Sequence, residues 1–299
     1  MTDLLGVMQT WSAERTEIRG EDGTVTAILL ADIVSGKPVP PRPSPRLRVS
    51  AEQACLLSNA SWPAIHTEPL GAWLLRASGG FSARANSVMA TGSPGVPFDD
   101  ALGRVRDFYA AHGLPAWAQV VVGSDVADAF GDHGWRSARP GEADSHFQIA
   151  SVSQAIRAVR RRLPDAPPPV SLGTAATSAW LASDDRAMAH RDAALAVLGG
   201  PDDVAFASVG APLVVARGRV SCERDWAGIT DVWVSPDHRR QGLGFVVLAA
   251  MLEWAAERGA TTAYLQVRGD NAPGLALYET LGFRTHHTYR YLAEPGPDR

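Results

Sequence analysis

Lysine is nearly absent from this chain of 299 residues: of its 28 basic residues only Lys37 is a lysine, and the rest are arginines. With so much alanine, glycine and proline beside it, that bias reads as the codon usage of a GC-rich genome. Cysteine is scarce too. Cys55 and Cys222 cannot build a zinc site or a disulfide framework and read as buried thiols in a reducing compartment, so no metal is predicted. No long apolar run exists: the run from Phe245 to Leu252 stops at Glu253 after eight residues, against the roughly 20 that a bilayer span requires. The start, Met1-Thr2-Asp3, has no basic segment followed by an apolar one, so no secretory leader and a cytoplasmic location are expected. An excess of positive charge is also missing. A net charge of −4 argues against a nucleic-acid binder, whose affinity rests on cations neutralising phosphates. The run Arg157, Arg160, Arg161 and Arg162 reads as a solvated helix end, the alternative being a docking patch for an acidic partner.

What is present is ordinary globular composition, 45% apolar and 20% charged, which excludes a wholly disordered chain. Prolines divide it. Residues 38–45, Pro-Val-Pro-Pro-Arg-Pro-Ser-Pro, predict an extended linker, and a second break falls at Pro164 to Pro169. The expected parts are 1–44, 46–163 and 170–299. The first reads as a small all-β module, with Val25 to Leu30 as a strand and a turn at Glu21-Asp22-Gly23; it is too small to be very stable alone.

The two larger parts repeat one pattern. A helix ends at Gly259, a strand Ala263 to Val267 follows, and a second helix ends at Gly282-Phe283. Earlier, a helix ends at Gly113, a strand Ala118 to Val122 follows, and a second helix ends at Gly134-Trp135. A shared order of this kind predicts a duplicated α/β domain, not a solenoid.

The chemistry concentrates in the last part. Gly228 to Ser235 reads as a strand stopped by Pro236, followed by Asp237-His238-Arg239-Arg240-Gln241-Gly242-Leu243-Gly244 and an apolar-faced helix through Phe245, Leu248, Leu252 and Ala255. Strand, basic glycine-bearing turn and helix start form a phosphate cradle. Free N–H groups and the positive helix end converge on an anion, and glycine lets the backbone approach it. Each helix-end contribution is about 0.3–1 kcal/mol, so several donors must act together.

The Arg-x-x-Gly-x-Gly pattern at 239–244, the Val-x-Val-x-Pro strand before it, and the later Asn271 and Leu277-Tyr278-Glu279-Thr280-Leu281-Gly282-Phe283 together resemble the GNAT N-acetyltransferases. The likeness is close over 228–292. Ala205 to Val209 and Pro212 to Ala216 fit earlier strands of the same fold. More loosely, the layout resembles an actinobacterial tandem-GNAT family with an SH3-like N-terminal module, described as histone-acetyltransferase-like or N-acetylglutamate synthase-like. The implied fold is α/β with a mixed sheet: two tandem GNAT-like domains, the first degenerate.

The resemblance also implies an acetyl-CoA site and no metal. Val232, Trp233 and Val234 would meet the pantetheine arm as an added strand, with the backbone of the two valines pairing to it. The amides of Arg239, Arg240, Gln241, Gly242, Leu243 and Gly244 would hold the pyrophosphate, and Asn271 would hydrogen-bond the pantetheine. Tyr278 would sit near the sulfur and act as the acid, since a phenol with pKa near 10 can protonate a departing thiolate.

No base is assigned. Some relatives carry Glu in a Leu-Glu-Val-Arg strand, where this chain has Gln266, which cannot take a proton. Asp231, His286 and His287 stand as candidates; strand alternation puts Asp231 on the face opposite Thr230, Val232 and Val234.

The first repeat has Met89 to Pro97 in place of the cofactor loop, with no arginine before its glycines and two prolines lacking N–H donors. It also lacks counterparts of Asn271 and Tyr278 around Ser124 to Phe130, so it is expected not to bind CoA but to close the acceptor side. Arg84 and Asn86 are its candidates for contacting the acceptor, the alternative being that they stabilise a turn. The expected activity is transfer of acetyl from acetyl-CoA to a primary amine. Free glutamate is favoured, and a protein lysine or another small amine stays open. A CoA-sensing or interaction protein without turnover is the competing reading.

Overall fold

The computed structural model describes residues 4, 6–20, 23–35 and 45–294. By the density of its internal contacts the chain divides into two units, Met1–Pro43 and Ser44–Arg299. Residues 38–44 of the expected linker, with Glu21 and Asp22 of the expected turn, lie outside the described residues.

The N-terminal unit is a three-stranded antiparallel sheet of β1 (Val7–Trp11), β2 (Arg15–Arg19) and β3 (Val25–Leu29), in that order. So few strands cover little. Among its described residues Thr16 alone is buried, and Val7, Met8, Trp11 and Leu29 are each more than half exposed.

The larger unit begins with α1 (Ala51–Ala60), β4 (His66–Leu70), β5 (Trp73–Ala77), β6 (Val88–Met89), α2 (Phe98–Ala111) and β7 (Trp117–Val121). It continues with α3 (Asp125–Asp132), β8 (Arg136–Ser137), β9 (Ser145–Ser151) and α4 (Val152–Arg160). Beyond the proline break come β10 (Ser171–Gly173), α5 (Ser178–Leu181), α6 (Asp185–Ala189), α7 (Arg191–Leu198), β11 (Val204–Val209) and β12 (Ala216–Glu223). The chain closes with β13 (Trp226–Val234), α8 (Leu243–Glu257), β14 (Thr262–Arg268), α9 (Ala272–Thr280) and β15 (Arg284–Ala293). None of the helices in the described residues is long and apolar enough to cross a membrane.

The expected strand at Pro212 to Ala216 is instead the turn into β12, which starts at Ala216. Gly210 takes a left-handed φ of 95° there, and the Val215 amide closes back on the Val209 carbonyl.

The repeat is visible in the backbone. Gly113, Gly134, Gly259 and Gly282 all end helices with φ between 65° and 87°. After the second stop in each half, a buried aromatic donates its amide back to the helix: Trp135 to the Phe130 carbonyl at 3.0 Å and Phe283 to the Tyr278 carbonyl at 3.1 Å. The parallel ladders of the large sheet fall at matching places, β6 with β7 and β13 with β14.

One sheet of 12 strands runs through both halves in the order β10-β11-β12-β13-β14-β9-β15-β7-β6-β5-β4, with β8 beside β15. The halves exchange their last strands. β9, from the first, pairs with β14 of the second, and β15, from the second, pairs with β7 of the first. The two exchanged strands also pair with each other.

On one face of the second half, α4 and α8 cover Ile229 and Leu265 with Ala155, Val159, Val247, Leu248 and Leu252. Toward the other face lie α1 and α5 to α7, with a cluster of Trp62, Phe81, Trp180, Leu198 and Phe206. The first half has its own core of Trp73, Leu102, Val105, Phe130 and Trp135.

Candidate active site

The sheet opens at one place. β13 pairs with β14 only from Trp226↔Thr262 to Ile229↔Leu265, so Thr230 to Val234 have no ladder on that side. β14 runs on to Arg268 against β9 alone. The two parallel strands therefore part like jaws, and Val232, Trp233 and Val234 lie on the unpaired edge. An edge of this kind is a template for an added strand of amide-bearing ligand.

Directly after that edge the chain turns through a one-turn helix at Pro236–His238 and enters α8. Arg240 and Gly242 take φ of 61° and 80°, the left-handed region that only glycine enters freely. Those angles leave the amides of Arg240, Gln241, Gly242, Leu243 and Gly244 with no partner among the described residues. This is what a helix start needs if it is to receive an anion. Arg240 is exposed; Arg239 turns its Nε to the Val234 carbonyl at 3.3 Å, and Gln241 donates to the Asp237 carbonyl at 3.4 Å. The residues present thus fit a pyrophosphate.

Gly244 joins the loop to the other parts. A Cβ there would lie 3.4 Å from Leu277 Cδ1 and 3.9 Å from Val234 Cγ2, so the loop, the open edge and α9 meet at one point. Asn271 caps α9 by accepting from the Gly274 amide at 3.1 Å, which leaves its Nδ2 group for a ligand. Tyr278, one residue past Leu277, stacks edge-on with Phe283 at 5.8 Å, and its hydroxyl has no partner among the described residues. Burial pushes its pKa up to about 12, so it holds its proton at every physiological pH.

Asp231 is not where alternation put it. Its φ of 54° and the register shift opposite Arg217 and Arg219 make a bulge, and the bulge turns Asp231 to the same face as Thr230. Val232 and Val234 stay on the α8 side. The Asp231 carboxylate, only 8% exposed, lies 3.3 Å from the Arg186 guanidinium and 4.0 Å from that of Arg217 through Oδ1, whereas Oδ2 is buried without a partner among the described residues. Arg217 also bonds the Asp231 carbonyl at 3.1 Å and reaches Asp184 at 3.3 Å. Burial lowers the Arg217 pKa, and the two carboxylates work against it. Sequence reasoning missed this network of Asp184, Arg186 and Arg217. Asp184, which caps α6, was its visible local sign, since the bulge that completes it is a matter of backbone angle.

On the other jaw, Gln266 accepts the Tyr289 hydroxyl at 2.6 Å, and its buried Nε2 has no partner among the described residues. His286 and His287 are committed elsewhere. The Val49 carbonyl can only accept, so His286 Nε2, 2.6 Å away, must carry the proton. Its Nδ1 shares a hydrogen bond with His287 Nδ1 at 2.8 Å, and His287 Nε2 faces the Cys55 thiol at 3.7 Å. The His287 ring is neutral at physiological pH. Burial, with His286 beside it, lowers the His287 pKa to about 4, and burial raises that of Cys55 to about 11. Neither ring has a nitrogen to offer an amine.

In the first half, Asn86 uses its Oδ1 on the amides of Ser78 and Gly80 and its Nδ2 on the Ser82 carbonyl, so it staples its own turn. Arg84 is the opposite case. Its guanidinium lies 4.9 Å from the Trp62 ring, its Nε is buried without a partner, and among the described residues it has no ion pair. The loop that stands in for the cofactor turn packs onto the β4–β5 turn through Gly71 and Pro94. The helix after it begins with Asp99 and Asp100, which repel an anion. Ser124 caps α3 as Asn271 caps α9, a counterpart that sequence comparison did not give, but Phe130 stands at the place of Tyr278 and has no hydroxyl. No group of three or more His, Cys, Asp or Glu that could hold a metal occurs among the described residues.

Comparison with known proteins points one way. The family model described as "Probable histone acetyltransferase Rv0428c C-terminal" matches residues 50–292. The uncharacterized N-acetyltransferase YobR of Bacillus subtilis is 28% identical over 246 residues, covering 78% of this chain and 95% of YobR. The probable histone acetyltransferase Rv0428c of Mycobacterium tuberculosis is 27% identical over 289 residues, covering 92% of this chain and 83% of that protein. Among solved structures, a GCN5-related N-acetyltransferase from Kribbella flavida superposes with a TM-score of 0.57 at 20% identity, covering 83% of this chain and 96% of the other. A tandem GNAT protein from the clavulanic acid biosynthesis pathway gives 0.53 at 18%, covering 71% and 76%. The last two likenesses bear on the fold.

Proposed function

The chain belongs to the Rv0428c C-terminal family and is a GNAT-type N-acetyltransferase, and from that premise we propose that its second half binds acetyl-CoA in the opening between β13 and β14 and passes the acetyl group to a primary amine. The observation that carries this is one conjunction: a strand edge that leaves its ladder leads straight into five amides, at the start of α8, with no partner among the described residues. The amides of Arg240 to Gly244 hold the pyrophosphate, that of Arg239 being given to the Pro236 carbonyl at 3.4 Å, the edge of Val232 to Val234 aligns the pantetheine arm, and Asn271 Nδ2 donates to it. The neutral amine nitrogen attacks the thioester carbonyl, the carbon–sulfur bond breaks, and the proton that the nitrogen sheds as the amide forms replaces the one that Tyr278 spends on the thiolate. The Tyr278 hydroxyl, kept protonated by burial, gives its proton to the departing thiolate. The first half lends a wall to the acceptor side and has no cofactor loop of its own, a reading that Asp99 and Asp100 in the first turn of α2 support.

Thiol release dependent on acetyl-CoA, measured against free amino acids, a lysine peptide, a polyamine and an aminoglycoside, tests the reading. Saturable release with at least one amine is expected. Acetyl-CoA binding with no release from any of them would favour a CoA-sensing protein, a reading to which Gln266 in place of an acidic residue lends weight.

A further inference from the structure

Arg84, Asp231 and Gln266 come from different parts of the fold, and each has a buried polar atom with no partner among the described residues. Asp231 stands on β13 just past the last pair of the ladder, and Gln266 stands on β14 just past the same pair. Both lie on the face away from α8: Asp231 because the bulge turns it there, Gln266 because it alternates with Leu265, which packs against α8. Arg84 arrives from the first half. It lies against Trp62, and the Arg219 guanidinium sits 5.4 Å from the same ring and reaches the Thr230 hydroxyl at 3.4 Å. Arg186, bound to Asp231, lies 4.8 Å from the ring of Phe81, which stacks on Trp62 at 5.8 Å.

The unused atoms have complementary chemistry. Asp231 Oδ2 is a buried acceptor whose sister oxygen is fixed by two arginines, so it can receive a cation in one direction only. Arg84 Nε and Gln266 Nε2 are buried donors. Burial works to lower the Arg84 pKa, but the net shift is upward, the carboxylate of Asp231 being among the groups that raise it, so the guanidinium stays charged. An enclosed cation with no anion against it is costly unless a ligand supplies one.

We propose that the acceptor is a primary amine that carries a carboxylate, bound with its ammonium on Asp231 and its carboxylate on Arg84 and Gln266. The proposal rests on the acetyltransferase reading and deepens it. It makes the first half a selector, since Arg84 belongs to that half. A lysine side chain in a protein brings no carboxylate and would leave the guanidinium unpaired.

The test compares free L-amino acids, glutamate among them, with the same amino acids as carboxamides, on the wild type and on Arg84→Met, Arg84→Lys and Asp231→Asn. The free acids are expected to exceed their amides by about 10²-fold in kcat/KM. Arg84→Met should raise KM for the acids by roughly 10–100-fold while leaving the amides and the affinity for acetyl-CoA unchanged. Arg84→Lys keeps the charge without the fork and should fall between. Asp231→Asn, nearly isosteric, should weaken acids and amides alike because both present the amine. Amides turned over as well as acids, or acids and amides lost equally in Arg84→Met, would overturn the proposal. Calorimetric titration of the same acids into the CoA-loaded protein separates the two claims. Binding that needs Arg84 but gives no turnover would sink the enzyme and keep the site, whereas turnover of amines with no acid binding would sink the site and keep the enzyme.

Discussion

Tyr278 and Phe130 differ by a single oxygen at matching places of the two halves, each accepting the amide of a buried aromatic five residues on. That oxygen is what the proposed mechanism uses. Tyr278→Phe is expected to leave acetyl-CoA affinity within about twofold and to lower kcat by ~10²–10⁴-fold. Unchanged kcat would remove the phenol from the chemistry. Because burial lifts its pKa to about 12, the rate should show no falling limb from this acid until the pH exceeds about 11. A limb near pH 9 that vanished in Tyr278→Phe would mean that the phenol is solvated. At the same scale, Asp231 shows where reading residues by period fails. Alternation is a rule for regular strands, and one residue at φ 54° suspends it. Nothing in Ile229-Thr230-Asp231-Val232 announces the bulge, because the angle is held by Arg186 and Arg217 from other elements.

Among elements, the turn from β13 into α8 was the most legible part of the chain. Its signals are local: Pro236 stops the strand, and Gly242 alone can take a φ of 80° at the helix cap without strain. Gly242→Val should lower acetyl-CoA affinity at least about 30-fold by calorimetry, since the substituent meets both the left-handed backbone and Pro164, whose Cδ lies 3.3 Å from the Cβ position. Retained affinity would place the pyrophosphate elsewhere. Helix stops were legible for the same reason, and the spacing of Gly113, Gly134, Gly259 and Gly282 carried the duplication. Pairing partners were not. That β9 lies between β14 and β15 depends on contacts across more than a hundred residues, which no local pattern encodes. The commitment of His286 to the carbonyl of Val49, 237 residues away, was hidden in the same way.

For the whole molecule, the buried histidine chain couples folding to pH. His287 is depressed to about 4 in the folded protein and returns to the ordinary 6.5 when unfolded, so between these values the unfolded chain binds more protons. The stability this group contributes is present above pH 6.5 and is lost as the pH falls toward 4. At pH 5 the loss is on the order of 2 kcal/mol. Denaturant midpoints between pH 7.5 and 5 should fall more steeply for the wild type than for His287→Gln, and parallel slopes would show that the ring is not held neutral.

The exchange of β9 and β15 has a consequence for how such a chain can be divided. A polypeptide severed between Pro164 and Pro169 would still be one object, because each fragment holds an interior strand of the other's half of the sheet. The two pieces, produced separately, should each be incomplete and sticky, yet together should reassemble an active protein. For the same reason neither half could drift far in shape without the other following.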